Sequence, residues 1–166
     1  MTIAGVSIRR ATVADVPGIL DLQARNLSER GGLLSVGFPQ AWFEAAIAAM
    51  PLIVAERDGQ VLGYLVSAPF SALAQVPIVQ AMLRAYPGSA GGYLYGPICV
   101  AETERGQGIA RAMFTALRQQ LPGREGIAFI RRDNAASLRA HRRMGMREVA
   151  EFDHNGAAHV VIAYVG

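Results

Sequence analysis

Between an apolar strand and an amphipathic helix the chain carries Arg105-Gly106-Gln107-Gly108-Ile109-Ala110. Closely spaced glycines that open a helix let backbone N–H groups approach phosphate oxygens, and the helix dipole favours the negative charge. The stretch therefore reads as a cradle for a pyrophosphate. A nucleoside-triphosphate loop is excluded, because Ile109-Ala110 follow the last glycine and all 16 basic residues are arginine. A dinucleotide fingerprint would need a third glycine where Arg111 stands.

Other reactive residue types are few. Cys99 is the only cysteine, which rules out an intrachain disulfide and a cysteine metal cluster, and on an apolar strand it reads as a small core residue. Tyr93 and Tyr95 alternate with Leu94 before the turn and are low-ranking candidates for a base, with packing as the plainer role. Glu102 and Glu104 would oppose a phosphate and are expected to shape the turn or face solvent, and Glu56 reads as a hairpin charge. His154 and His159 fall on the closing hairpin and read as surface or edge residues; no metal site is expected.

Composition narrows the class further. With 52% hydrophobic and 17% charged residues over 166 positions, the chain has enough apolar surface for one folded domain, 1–166. The net charge is only +3, and arginines cluster only at 131–132 and at 139, 142 and 143. A nucleic-acid partner would need a longer basic face. The uncharged run from Gly59 to Leu83 is broken by Pro69, Gln75, Pro77 and Gln80, so no membrane partner is expected. The N-terminus lacks the order of a signal peptide, and the expected location is cytoplasmic.

The elements that must position the turn follow from periodicity. Ser7–Ala11 predicts a strand, and Thr12 with Asp15 the start of a helix reaching about Arg30, broken by Gly31-Gly32. Trp42, Phe43, Ala46, Ile47 and Met50 predict a helix over 40–50. Leu52–Glu56 and Gln60–Ser67 around Asp58-Gly59 predict an antiparallel hairpin. Pro69–Pro87 predicts one helix, irregular near Pro77, that walls an acceptor site or forms a subunit interface such as a homodimer's. Tyr93–Ala101 predicts a strand interrupted at Gly96-Pro97. A helix from Gln107 to Leu121 buries Ile109, Ala110, Met113, Phe114, Leu117 and Leu121, and a short parallel strand over Ile127–Ile130 follows. Asn134 caps a helix that Gly145 ends, and two strands close the chain around 153–156.

Two motifs on these elements resemble one family. Arg105-x-x-Gly108-x-Ala110, after Ile98-Cys99-Val100, is similar to the acyl-CoA signature of the GNAT superfamily of N-acetyltransferases. Asn134-Ala135-Ala136-Ser137 through His141 to Gly145-Met146 resembles that family's second motif. The element order extends the resemblance over almost the whole chain. It implies a mixed, mostly antiparallel sheet with helices on both faces and a V-shaped splay between two parallel strands. It implies acetyl-CoA as cosubstrate, with no metal, and a small-molecule or peptide amine as acceptor. Backbone at Ile98, Cys99 and Val100 would hold the pantetheine, and Arg105, Gly106, Gln107, Gly108, Ile109 and Ala110 the pyrophosphate. Asn134, Ser137 and His141 would meet the cofactor arm on the other side. The family places a tyrosine as general acid where this chain has His141, and a histidine could protonate a thiolate leaving group. A non-catalytic acyl-CoA sensor on the same fold is the alternative.

Overall fold

The computed structural model describes residues 2–27 and 37–166, and every structural statement below concerns these. The elements are β1 (Thr2–Ile3), β2 (Val6–Arg10), α1 (Val16–Asn26), α2 (Gln40–Ala49), β3 (Ile53–Arg57), β4 (Gln60–Ala68), α3 (Pro77–Ala85), β5 (Tyr93–Val100), α4 (Ile109–Gln120), β6 (Glu125–Arg131), α5 (Ala135–Arg143), β7 (Arg147–His154) and β8 (Ala157–Val165). The pairs β1–β2, β2–β3, β3–β4, β6–β8 and β7–β8 are antiparallel, and β5–β6 is parallel. That parallel ladder covers only Tyr93↔Gly126 and Leu94↔Ile127, although β5 runs on to Val100 and β6 to Arg131. The ladder therefore stops just ahead of Gly96-Pro97, where the sequence predicts an interruption.

Several boundaries differ from expectation. β1 was not foreseen; two residues are too few for a periodicity signal, and its pairing with β2 across Ala4-Gly5 is what makes it a strand. α1 ends at Asn26, and the predicted stop at Gly31-Gly32 lies outside the described residues. Pro77 opens α3 instead of interrupting a longer helix, because a residue without N–H is tolerated where no intrahelical acceptor exists. A short 3-10 turn, Phe70–Leu73, precedes it. α4 starts at Ile109 with Ala110 only half-buried, since Ala112 and Ala116 share the inward face. Asp153 and His154 belong to β7, and the closing loop is Asn155-Gly156 alone.

The internal contacts fall into two compact units, Met1–Ser67 with Gly96–Gln120, and Ala68–Tyr95 with Leu121–Gly166. The first holds β1, β2, β3, β4 and the second half of β5 in that order. Ile19 and Leu22 of α1 and Phe43 of α2 share its core with Leu52, Val54, Tyr64 and Val66. Trp42 is half-buried and stacks on Phe38 at 3.9 Å between ring centroids. α4 packs on β2 and β3. At the start of α1, Asp15 takes two hydrogen bonds from the Arg9 guanidinium, both 2.8 Å, and one from the Thr12 N–H at 2.7 Å.

The second unit orders the first half of β5, then β6, β8 and β7. Val79 and Met82 of α3 pack with Leu94, Ile127, Val161 and Ala163, and Phe70, Leu73, Val76 and Leu83 border them. The 69–87 segment, whose one charged residue is Arg84, thus spends much of its apolar character on its own core. Buried Glu125 accepts from the Tyr86 hydroxyl and the Ser89 N–H, both at 2.8 Å, fixing the loop ahead of β5. A Cβ at Gly126 would stand 2.5 Å from the Tyr164 ring, so only glycine lets that ring cross β6. No described helix is long and apolar enough to cross a membrane.

The Arg9 guanidinium holds the Asp15 carboxyl below its ordinary range, against the opposing effect of burial. A depressed folded-state pKa contributes stability above the unfolded value, near ~3.9, that disappears as pH falls through the folded one. Asp15→Asn should cost about 1 kcal/mol at neutral pH, discounted because Arg9 is partly solvated. In urea denaturation the gap between variant and wild type should close below about pH 4.

Candidate active site

The glycine turn is shaped by backbone conformations that favour glycine: φ is +77° at Gly106 and +84° at Gly108. The first helical bond beyond it runs from the Ala112 N–H to the Gly108 carbonyl at 3.0 Å. Amides ahead of that bond have no carbonyl one turn back, which leaves a donor-rich helix end. Arg105 through Gly108 are solvent-exposed, and a Cβ at Gly106 would meet nothing within 4 Å. The space beside these amides is open to a ligand, and an anionic phosphate fits their chemistry.

Side chains brace both flanks. Upstream, Arg57 donates to both Glu104 oxygens at 3.1 and 3.3 Å and reaches the Ala4 carbonyl at 3.5 Å. Glu104 is thereby neutralised beside the turn, and Glu102 is exposed. At the first motif position, Arg105 donates from Nε to the Val100 carbonyl at 3.1 Å and from Nη2 to the Asn26 Oδ1 at 2.8 Å. Ile3 of β1 approaches Gly108, 3.4 Å from where a Cβ would stand.

On β5, Ile98 and Val100 are half-buried and the Cys99 side chain is buried. Burial pushes the Cys99 thiol up to about 11, against the pull of Arg105 and Arg25. At neutral pH it is a protonated core residue and not a nucleophile.

The second unit gathers the other candidates. The Asn134 Oδ1 accepts the Ser137 N–H at 3.2 Å, capping α5 as predicted, and its amide NH2 is left to donate elsewhere. At the far end the Met146 N–H bonds the His141 carbonyl and the Gly145 N–H the Arg142 carbonyl, a Schellman stop with Gly145 at φ +93°. His141 is only 6% exposed. Its Nδ1 lies 2.8 Å from the Ser137 carbonyl, and a carbonyl only accepts, so Nδ1 carries the proton. In the neutral ring Nε2 is then the acceptor, and it faces the Tyr95 hydroxyl at 3.3 Å. The rings of Tyr95 and His141 meet edge to face, as do those of Tyr95 and Tyr164. The Tyr93 and Tyr164 hydroxyls bond to one another. Both strand tyrosines are buried.

The remaining charged candidates sort into surface and core. Arg131 pairs with Asp133, Arg132 with Glu148 and Glu151, and Arg142 with Glu148. Arg131, Arg132 and Arg142 are thus answered by the chain's own carboxylates, and Arg111 and Arg139 are exposed. His159, expected at the surface or edge, is buried: it stacks on Phe152 at 5.0 Å and lies edge-on to Phe129. The described residues contain no group of three or more His, Cys, Asp or Glu placed to hold a metal ion. Asn26, Arg57 and Tyr164 were not singled out from sequence, because their roles depend on partners 79, 47 and 71 residues away.

Residues 19–146 match the model of the acetyltransferase (GNAT) family. The chain belongs to that family. It is an acetyl-CoA-dependent N-acetyltransferase by class, as both motifs imply. An L-methionine sulfoximine/L-methionine sulfone acetyltransferase from Pseudomonas paraeruginosa is 31% identical over 149 residues, 84% of this chain and 78% of that protein. A ribosomal-protein-alanine N-acetyltransferase from Brucella melitensis is 25% identical, with a TM-score of 0.69 over 96% of this chain and 99% of its own. A putative acetyltransferase from Salmonella typhimurium, solved with its cofactor acetyl-CoA, shares the fold at TM-score 0.69 and 21% identity, covering 97% of this chain and 94% of its own.

Burial, only partly offset by the Ser137 carbonyl, lowers the pKa of His141. Nitrogen-15 spectra should therefore show Nδ1 protonated and Nε2 bare at neutral pH, with titration below the ordinary value near ~6.5. A lowered folded-state value means that the unfolded chain binds the proton first, so this residue costs stability as pH falls from the ordinary value near ~6.5 toward the lower folded one.

Proposed function

We propose that this N-acetyltransferase acts on the primary amine of a small amino-acid-like acceptor. The reading is supported by the 31% identity to an acetyltransferase of methionine sulfoximine and methionine sulfone across most of both chains. Amides of Gly106 through Ala110 hold the pyrophosphate, with backbone at Ile98, Cys99 and Val100 along the pantetheine. The observation that carries the cofactor assignment is the braced turn, whose flanking side chains bond away from its own amides. Acetyl-CoA supplies the acyl thioester.

Transfer forms the amide N–C bond, breaks the C–S bond, and moves one proton from the amine nitrogen to the leaving sulfur. A neutral imidazole with its proton on Nδ1 must collect a proton at Nε2 before it can give one. In our reading Tyr95 passes its hydroxyl proton to His141 Nε2 while taking the amine's proton, and the imidazolium returns the proton by the same path. Burial makes that imidazolium a ready acid toward a thiolate whose thiol pKa is near ~8.5. Tyr93 acts through packing and its bond to Tyr164.

Gly108→Ala should raise KM for acetyl-CoA about tenfold, because a φ of +84° strains any residue that carries a side chain. Tyr95→Phe and His141→Ala should each lower kcat about 100-fold with KM for acetyl-CoA nearly unchanged, and the double variant should be no worse than either. Full turnover by His141→Ala from pH 6 to 9 would remove the proton role. An acceptor panel of L-methionine sulfone, L-methionine sulfoximine, L-methionine and a peptide with N-terminal alanine tests the substrate class; turnover of the peptide alone would overturn it.

A further inference from the structure

We propose that Asn26, at the C-terminal end of α1 and outside both family motifs, is a positioning residue for the pyrophosphate turn and acts through Arg105. The proposal rests on the acetyl-CoA reading of that turn. Asn26 is 7% exposed, and its carboxamide is used at both ends. Nδ2 donates to the Leu22 carbonyl at 2.8 Å, and Oδ1 accepts from Arg105 Nη2 at 2.8 Å. These partners fix the amide's orientation, since a flip would set a donor against the guanidinium and an acceptor against a carbonyl. Asparagine is a poor helix former, so burying it in the last turn of α1 is costly without such partners.

The consequence falls on the turn. Arg105 is its first residue, and its guanidinium ties α1 to the exit of β5 through Asn26 and Val100. Two guanidinium nitrogens are occupied in this tie, so the arginine at the signature position braces the loop while the amides after it meet the ligand. A brace of this kind lowers the cost of ordering the loop when the pyrophosphate arrives. Without the Asn26 acceptor, Arg105 keeps only its contact to Val100, and the start of the turn is held at one point.

The test compares two acyl donors, acetyl-CoA and S-acetylpantetheine, which has the thioester and pantetheine arm but no pyrophosphate. Asn26→Leu should raise KM for acetyl-CoA about tenfold at nearly constant kcat, the loss expected for one hydrogen bond to a charged group. Its KM and kcat with S-acetylpantetheine should match wild type. Asn26→Asp, which keeps an acceptor for Arg105 but loses the donation to the Leu22 carbonyl, should recover KM for acetyl-CoA only in part, to a value below that of Asn26→Leu. If Asn26→Leu does not fold, Asn26→Ser, whose shorter side chain withdraws the acceptor from Arg105, carries the same comparison. An equal loss with both donors would assign Asn26 a purely structural role, and an unchanged KM for acetyl-CoA would remove any role; either overturns the proposal. Failure of the underlying reading looks different: wild-type protein would then use S-acetylpantetheine as well as acetyl-CoA.

Discussion

A phosphate cradle built from backbone amides works only while the loop does not spend those amides on itself. Here the two side-chain ties at the turn's start bond away from those amides. Arg57 on β3 grips Glu104, and Arg105 reaches back to Val100 and Asn26. Each tie draws its donor from a guanidinium, so the loop is held without consuming a single N–H of Gly106, Gln107 or Gly108 in these contacts. The Arg57–Glu104 pair has a second effect, since it cancels a carboxylate that would otherwise repel an incoming phosphate at short range. β1, though only two residues long, serves the same end by bringing Ile3 against Gly108.

The second unit solves a different problem, the placement of polar groups in an apolar setting. His141, Tyr95, Tyr93 and Tyr164 are all buried, and their polar atoms are bonded to one another or to backbone. Buried polar groups left without partners are expensive, so this network has few alternative arrangements. Gly126 is part of the same solution, because any side chain there would displace Tyr164 and with it the neighbour of both strand tyrosines.

What the sequence made legible was whatever depends on short range. The Asp58-Gly59 hairpin, the Asn134 cap, the Gly145 stop and the glycine turn each carry their signal within a few residues, and each appears as expected. The two motifs, met at the right separation, supplied the family. Longer-range facts were hidden. The chain gives no local hint that Arg105 bonds Asn26, or that His159 is buried against Phe152 and Phe129, because a strand histidine reads the same at a surface or in a core. Apolar spacing that runs past Pro77 on both sides predicts a position inside a helix, whereas the absence of its N–H makes it a starting residue.

The departure at His141 takes on a different meaning in this setting. The family pattern expects a phenol on the helix, and here the helix carries an imidazole whose accepting nitrogen faces a phenol on β5, at Tyr95. The hydroxyl is still present, supplied by a strand. Its neighbour has also changed the chemistry: a lone buried tyrosine is a weak acid made weaker by desolvation, as the raised pKa of Tyr95 illustrates. Coupled to an imidazole that burial keeps neutral, the hydroxyl need not carry a full charge at any stage, because a proton gained on one side of its oxygen can be matched by one given to Nε2. In the proposed relay the charge would rest on a ring whose burial disfavours it, with the Nδ1–H bond to the Ser137 carbonyl offsetting part of that cost. A tyrosine in place of His141 would offer only a phenol oxygen, a far weaker base than a bare imidazole nitrogen, so the proposed relay needs the imidazole and the strand tyrosine together.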